Sequence, residues 1–134
     1  MSTETFERAV MQELVAWAAV NHPGLHVVGE NSPALDETQV QEFLDVEIRY
    51  YSATDATVGV RPIMRDSGAV SIRHYARQQT GSGRTRRVLE SVRELLRSRN
   101  LGGAILRSPQ LTVPTTVKGW YSRGTLVPFT LDTQ

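Results

Sequence analysis

Cysteine is absent from the 134 residues, which excludes thiol catalysis, thiolate metal sites and disulfide cross-links. This absence also fits a reducing compartment. No apolar run approaches the roughly 20 residues that a membrane-spanning helix needs. The first residues carry acids where a secretory signal peptide would carry bases, so we expect synthesis in the cytoplasm and no membrane partner.

The sequence also lacks internal repeats, low-complexity tracts and any linker that would separate two domains. A chain of 134 residues can bury roughly two thirds of its unfolded surface in one core, so neither a metal nor a disulfide is needed for stability. We therefore predict a single domain over residues 1–134.

Charge is distributed unevenly, although the net charge is only +1. Residues 1–47 hold nine acidic residues and one base, Arg8, a net charge of about −8. Residues 48–134 hold five acidic residues and fourteen bases, about +9. Such asymmetry indicates either a basic surface for a polyanion or a molecule whose two ends attract each other. Separate solvated faces are the simpler alternative.

The central part of the chain, Gly68 to Leu111, has the pattern of a strand, a glycine turn, a helix and a strand. Apolar and polar residues alternate from Val70 to Arg77, as in a half-buried strand. The segment 81–83 then breaks the alternation, and we predict a tight turn there with Ser82 as the helix cap.

A helix is predicted from Arg84 onward, because the apolar residues change to helical spacing. We expect Leu101-Gly102-Gly103 to close this helix and residues 104–113 to resume an extended segment. The apolar stripe of the helix consists of Val88, Leu89, Val92, Leu95 and Leu96.

An N-terminal helix is predicted as well, because Phe6, Val10, Leu14 and Trp17 recur at spacings of four, four and three. Pro23 is expected to end it. Short apolar runs predict an edge strand at residues 25–28 and another short strand at residues 58–60, and alternation predicts a half-buried strand over residues 44–50. Turns are expected at residues 52–57, at residues 66–68, and at residues 123–124 within a final hairpin.

These elements predict the α+β class. The expected order is one helix, four strands, a second helix and two further strands. Consecutive middle strands are expected to pair antiparallel, which gives a mixed, mostly antiparallel sheet with both helices packed on one face.

The search for catalytic chemistry is negative. His22, His26 and His74 have no carboxylate at a recognised metal spacing, so we assign no catalytic, metal or cofactor-binding residue. The turn at residues 81–83 stands where a phosphate loop would stand, but Arg86 occupies the place of a third glycine. We expect a protein that is not an enzyme and holds no cofactor. Trp17, Trp120 and Tyr121 are interpreted as core or interface aromatics.

The second helix is strongly basic outside its apolar stripe, which raises two alternatives. Nucleic-acid binding is the specific one. A solvated face is the plainer one, favoured because Glu90 and Glu94 are interspersed and no aromatic residues interleave for base stacking.

The order of several short motifs along nearly the whole chain resembles the tail terminator family of long-tailed bacteriophages. The similar features are the helix ending near Trp17-Ala18-Ala19, the strand Phe43 to Tyr51, and Arg65-Asp66-Ser67-Gly68 running into the strand Ala69 to Arg77. They continue with Thr80-Gly81-Ser82-Gly83 opening a helix that ends at Leu95-Leu96. Leu106-Arg107-Ser108-Pro109, Gly119-Trp120-Tyr121 and Val127-Pro128-Phe129 complete the set.

This resemblance implies a virion structural protein at the head-proximal end of the tail. Such proteins form a ring, typically of six subunits, that sits on the last ring of tail tube protein, stops its polymerisation and offers a surface for head-tail joining. The implied partners are further copies of the chain, the tail tube protein and a head-completion or connector protein, with DNA only in transit through the channel. Another phage neck or tail-completion protein, or a DNA-binding protein that uses the basic helix, is the alternative.

Charge and loop composition suggest which residues would make the contacts. Opposite charge at the two ends of a subunit would steer a heterologous contact with its neighbour, unless the bases line the channel instead. The basic candidates are Arg84, Arg86, Arg87 and Arg93, and the acidic candidates are Asp36, Glu37, Glu42, Asp45 and Glu47. The candidate contact loops, 52–57 and 61–68, contribute Ser52, Asp55, Arg61, Arg65 and Asp66.

Overall fold

The computed structural model describes residues 3–30, 36, 40–78 and 82–133. These ranges contain two helices and eight strands. In chain order the elements are α1 (Thr3–Asn21), β1 (His26–Val28), β2 (Glu42–Asp55), β3 (Met64–Arg77), α2 (Gly83–Leu96), β4 (Asn100–Leu101), β5 (Ala104–Leu106), β6 (Gln110–Leu111), β7 (Thr115–Val117) and β8 (Trp120–Thr133).

Helix α1 forms where apolar residues recur at helical spacing. Its predicted stripe, Phe6 to Trp17, is buried along one side. Glu4 in the first turn has the sign that the helix dipole favours. The helix ends at Asn21, just before Pro23 and before Gly24, whose φ of 89° suits only glycine without strain.

Helix α2 buries Val88, Leu89, Val92 and Leu96, which are four of the five predicted stripe residues. Ser82 is the N-cap residue, as predicted, although its side chain makes no capping hydrogen bond. The predicted closure by Leu101-Gly102-Gly103 is wrong, because the helix already ends at Leu96. Gly102 and Gly103, with φ of 56° and 89°, instead form the two-residue turn of the β4–β5 hairpin.

The described strands form one sheet in the order β1-β2-β3-β8-β5-β4, and β6 and β7 also pair with β8. β1 lies parallel to β2 at one edge, and the other described pairings are antiparallel. β8 pairs with β3 along one side and with β5, β6 and β7 in turn along the other. The predicted α+β class and mixed, mostly antiparallel sheet are confirmed.

Three strands of 14 residues each, β2, β3 and β8, run through residues 52–55, 66–68 and 123–124, where turns were predicted. Of the predicted turn at 52–57, only residues 56 and 57 lie in a loop. Asp66 pairs with Ala53 on one side and with Leu131 on the other, so it lies in the middle of the sheet. A Cβ at Gly124 would lie 3.0 Å from the carbonyl oxygen of Ile72, so this glycine permits a close backbone approach and does not form a turn. Pairing on both sides outweighs the turn preference of these residues.

Two further predictions about strands are wrong. Val58 and Val60 lie in the loop of residues 56–63 between β2 and β3 and not in a strand. Residues 104–113 are divided into β5 and β6, because residues 107–109 do not pair as a strand.

Both helices pack on one face of the sheet, as predicted. Phe6 of α1 contacts Phe129 of β8, with ring centroids 4.6 Å apart. Thr85 of α2 is hydrogen-bonded through its Oγ1 to Nδ1 of His74 on β3, at 2.9 Å. The two helices are joined where Trp17 Nε1 donates to Ser91 Oγ at 3.1 Å.

The opposite face of the sheet carries an aromatic cluster at the start of β8. Phe43 stacks on Tyr75, with centroids 4.8 Å apart, and meets the edge of Trp120 at 5.2 Å. The guanidinium carbon of Arg77 lies 4.0 Å from the centre of the Trp120 ring. Trp17 and Trp120 are both buried, in agreement with their interpretation as packed aromatics.

Candidate assembly surface

Strands β2 and β3 continue beyond the part of the sheet that the helices cover. A strand of 14 residues is about 45 Å long. All residues of β2 from Tyr50 to Asp55 are exposed, and so are Met64 and Arg65 of β3. We call residues 50–67 the arm. β8 pairs with β3 along the whole arm, residues 130–133 with residues 64–67, so the arm is three-stranded up to the loop that joins β2 to β3.

A β-bulge marks the point where the arm begins. Tyr50 pairs with Gly68 but Ser52 pairs with Ser67, so Tyr51 is the extra residue on β2. A Cβ at Gly68 would lie only 1.9 Å from the carbonyl oxygen of Arg49, so only glycine fits beside the bulge. The Tyr50 ring covers this point and meets the edge of the Phe129 ring at 5.6 Å.

The loop of residues 56–63, the arm tip, is closed by its own hydrogen bonds. Ala56 N donates to Ile63 O at 2.7 Å, and Ile63 N donates to Thr57 Oγ1 at 2.8 Å. Between these bonds, Val58 and Val60 have exposed fractions of 100% and 101%. Two fully exposed valines held out at the end of an arm have no role in the core of their own chain. Such a feature is typical of a contact with another molecule.

A second feature is a polar cluster that joins β2, β3, α2 and the end of α1. Arg84 Nη2 donates to Glu42 Oε1 at 2.6 Å, and Nη1 lies 3.1 Å from His22 Nδ1. His74 Nε2 lies 2.9 Å from Glu42 Oε2. Because Glu42 accepts, this ring nitrogen donates, which leaves Nδ1 of a neutral His74 to accept from Thr85.

Burial governs the titration of this cluster. It lowers the pKa of His74 below its usual value, against the opposing effect of Glu42. Burial, followed by the charge of Arg84, also lowers the pKa of His22. For Glu42, burial alone would raise the pKa, but the hydrogen bonds from Arg84 and His74 outweigh it and lower the pKa. The cluster therefore holds an ionised Glu42 beside neutral histidines.

Two residues predicted to contact a neighbouring subunit have their partners within the chain. Glu42 and Arg84 were expected on opposite sides of a contact between subunits, but they bind each other within one chain. Arg93 donates to the carbonyl oxygen of Pro109 at 3.3 Å, and Glu47 pairs with Arg49 at 3.1 Å.

The remaining charged candidates lie on the surface. Arg86, Arg87, Asp36 and Asp45 are all exposed. Burial and the neighbouring carboxylates of Glu47 and Glu30 raise the pKa of Asp45, so this part of β2 is an acidic patch. Glu37 lies outside the described residues.

The two predicted contact segments come together in the arm, although only residues 56–57 and 61–63 of them lie in a loop. Ser52 and Asp55 lie in β2, and Arg65 and Asp66 lie in β3. Arg61 alone of the five is in a loop, at the arm tip. Arg65 donates from Nε and Nη2 to both carboxylate oxygens of Asp132, at 2.8 and 2.9 Å, which ties the arm to the end of β8.

Val58 and Val60 are the contact candidates that the sequence reasoning missed, because they were assigned to a strand. The signal that distinguishes them is their surroundings. Gly59 separates them and Pro62 follows two residues after Val60, a composition that favours a turn over a paired strand.

The described residues contain no group of three or more His, Asp or Glu side chains that could hold a metal ion. Neither described helix is long and apolar enough to cross a membrane.

Comparison with known proteins identifies the fold and no family. No protein family matches the chain, and no curated protein matches it. Fifteen chains of known structure share the fold. One of them, a protein that carries no functional name, superimposes with a TM-score of 0.75 at 17% sequence identity, over 100% of this chain and 96% of that one. At this identity the likeness shows a shared fold alone.

Proposed function

We propose that this chain is a tail terminator of a long-tailed phage. Its copies form a ring that caps the tail tube, stops tube polymerisation and presents a surface for head-tail joining. The protein acts by binding in fixed stoichiometry and not by catalytic turnover. The order of the sequence motifs and the shape of the subunit support this function.

The observation that carries the proposal is the arm. Val58 and Val60 are fully exposed at its tip, and Tyr51 and Met64 along it are exposed by 64% and 45%. Exposed apolar groups cost free energy in water, by about 25 cal/mol per Å² that stays uncovered. A subunit that carries them on a projecting hairpin gains stability when another subunit covers them.

The motifs behind the resemblance lie at the parts of the fold that build this subunit. Residues 65–68 lie in the arm and beside its bulge, and residues 127–129 pair with residues 68–70 of β3, next to the arm. Residues 119–121 form the β7–β8 turn and the start of β8, where Trp120 packs into the aromatic cluster. The motifs are therefore spread over one connected framework, as expected for a structural protein.

The DNA-binding alternative depends on the exposed pair Arg86 and Arg87 of α2. The other two bases of this helix are engaged in the chain, Arg84 with Glu42 and Arg93 with the carbonyl oxygen of Pro109. Because each phosphate contact adds to affinity and to its salt dependence, two free arginines support only weak binding by one subunit. In a ring, the same pair would be repeated in every copy and could line the channel.

Tube polymerisation tests the proposal. The tail tube protein of the same virion is polymerised with increasing amounts of this chain, and tube length is measured by microscopy. We expect mean length to fall as the chain approaches six copies per tube end. As a control, the chain is added to finished tubes, which should keep their length but no longer grow when fresh tube protein is supplied. Unchanged length and continued growth at saturating chain would contradict the proposal.

A further inference from the structure

An apolar groove lies at the end of the molecule opposite the arm tip. The last turns of α1 and the segment leading into β1 form it, with a cavity volume of about 390 Å³. We call it the terminal groove. Its lining is apolar apart from His26 and consists of Val15, Ala18, Ala19, Gly24, Leu25, His26 and Val27. Val15 remains 51% exposed, so the groove is open to a partner.

The arm tip cannot reach the terminal groove of its own chain. β1 pairs with the start of β2, where Val27 lies opposite Leu44, whereas the tip follows the end of β2 at Asp55. The eleven residue steps between Leu44 and Asp55 correspond to about 35 Å of strand. The two apolar features therefore lie at opposite ends of one rigid strand and can meet only between two molecules.

The charges at the two ends are complementary. α1 has no basic residue in its last turn, and Arg84, which lies 3.1 Å from His22 just after the helix, is paired with Glu42. The negative end of the helix dipole beside the groove therefore still favours a further cation. The arm tip carries one charge, the cation of the exposed Arg61. A tip that enters the groove would bring Arg61 to the end of α1, where a cation is favoured.

We infer that the arm tip of one subunit docks in the terminal groove of the next copy of this chain, with Val58 and Val60 as the apolar anchors and Arg61 at the end of α1. This inference rests on the proposed ring, to which it adds the two surfaces that join neighbours. The contact is heterologous, since each copy offers a tip to one neighbour and a groove to the other, which is the arrangement that a closed ring requires.

Mixing two defective variants tests this arrangement. The tip variant V58D/V60D keeps an intact groove, and the groove variant A19R keeps an intact tip. Both changes are at exposed positions, so both variants should unfold at temperatures close to that of the wild type. Each alone should stay monomeric in sedimentation equilibrium at concentrations where the wild type assembles. Loss of the two valines that the contact would bury should weaken self-association by roughly 100-fold.

The equimolar mixture should give a dimer and no larger particle. One intact tip meets one intact groove, and both ends of the dimer are then blocked. A matched control, V113D/V117D, changes two valines that are exposed by 77% and 50% away from both surfaces, and it should assemble like the wild type. A mixture that stays monomeric would overturn the inference. A tip variant that assembles normally would also overturn it. The same holds if that variant assembles normally and loses only its binding to tube ends.

Cross-linking gives a second test, with no background because the chain has no cysteine. The double variant A19C/V60C, oxidised alone and on tube ends, should give a ladder of covalent oligomers that stops at the closed ring. V60C alone should give no ladder. If the wild type caps tubes but A19C/V60C forms no ladder, this inference fails and the proposed function stands. If the wild type neither assembles nor caps tubes, the proposed function fails first.

Discussion

His74 is fully buried, yet both of its ring nitrogens are hydrogen-bonded. Its ring is hydrogen-bonded to Glu42 of β2 and Thr85 of α2, and Arg84 links Glu42 to His22, just after α1. His74 thus joins β2, β3 and α2. The sequence shows no metal or catalytic spacing here, because these partners lie far apart along the chain.

Stability should depend on pH through this histidine. Burial lowers the pKa of His74 in the folded protein, so below its usual value of 6.5 the unfolded chain binds more protons than the folded chain. The free energy of unfolding should therefore fall as the pH drops from 7.5 to 5.5. His22, whose pKa is also lowered, contributes in the same direction.

Urea unfolding at several pH values measures this effect. H74Q keeps a side-chain amide near Glu42 but cannot titrate, so its free energy of unfolding should be lower overall and should change less between pH 7.5 and 5.5. H22Q should remove a further part of the dependence. A wild type and an H74Q variant with equal pH dependence would show that His74 is not a source of it.

Among the elements, the arm depends on the bulge at its base. Tyr51 is the extra residue, and Gly68 opposite it allows the backbone of Arg49 to approach. The bulge increases the local twist, which sets the direction of the arm relative to the rest of the sheet. Tyr50 and Phe129 then cover the glycine from the helix side.

Substitution of Gly68 by alanine should cost at least about 2 kcal/mol in the free energy of unfolding, because something must shift to relieve a severe overlap. The new Cβ would lie 1.9 Å from the carbonyl oxygen of Arg49 and 3.1 Å from Cε1 of Phe129. S67A, one residue away on β3, is the matched control and should cost much less. Urea unfolding of both variants gives the comparison, and a neutral G68A would show that the backbone relaxes freely at the bulge.

Periodicity predicts the helices and the cores of the main strands well. α1, α2 and the alternating part of β3 lie where their apolar spacing places them, because one face of each packs on the other elements. The arm was missed because its residues are polar or small and make their sheet hydrogen bonds outside the core. Residues 52–55 and 66–68 therefore have the composition of turns while pairing as strands.

The residues of the candidate site were likewise predictable only where local composition identifies them. The sequence drew attention to Arg61 and Arg65 by their charge and loop composition, and both lie in the arm. It did not reveal that Glu42 and Arg84 bind each other, since nothing local links residues 42 positions apart. It also could not show that Val58 and Val60 are exposed, because exposure depends on where β2 and β3 end.

At the scale of the whole molecule, part of the charge asymmetry is neutralised within the chain. Glu13, Glu42 and Glu47 of the acidic first third pair with Arg99, Arg84 and Arg49 of the basic remainder. The acidic patch around Asp45 and the exposed Arg86 and Arg87 are left on the surface. These charges remain available to steer neighbours together.

Reversal of Arg86 and Arg87 to glutamate should slow assembly and make it less sensitive to salt, because exposed charges mainly affect association rates. Light scattering at two salt concentrations measures this. D45K/E47K in the same chain should restore part of the rate if the acidic patch faces the neighbour's arginines. R97E, at an exposed position paired with Glu94, is the control. An unchanged assembly rate for R86E/R87E would instead favour arginines that line the channel.

Negative-stain microscopy of the purified protein, alone at high concentration and with polymerising tail tube, tests the central claim most directly. We expect rings of uniform diameter, or a ring-shaped cap at one end of each tube, with tubes that stop growing once capped. A strictly monomeric particle that neither assembles at high concentration nor binds tube ends would contradict it.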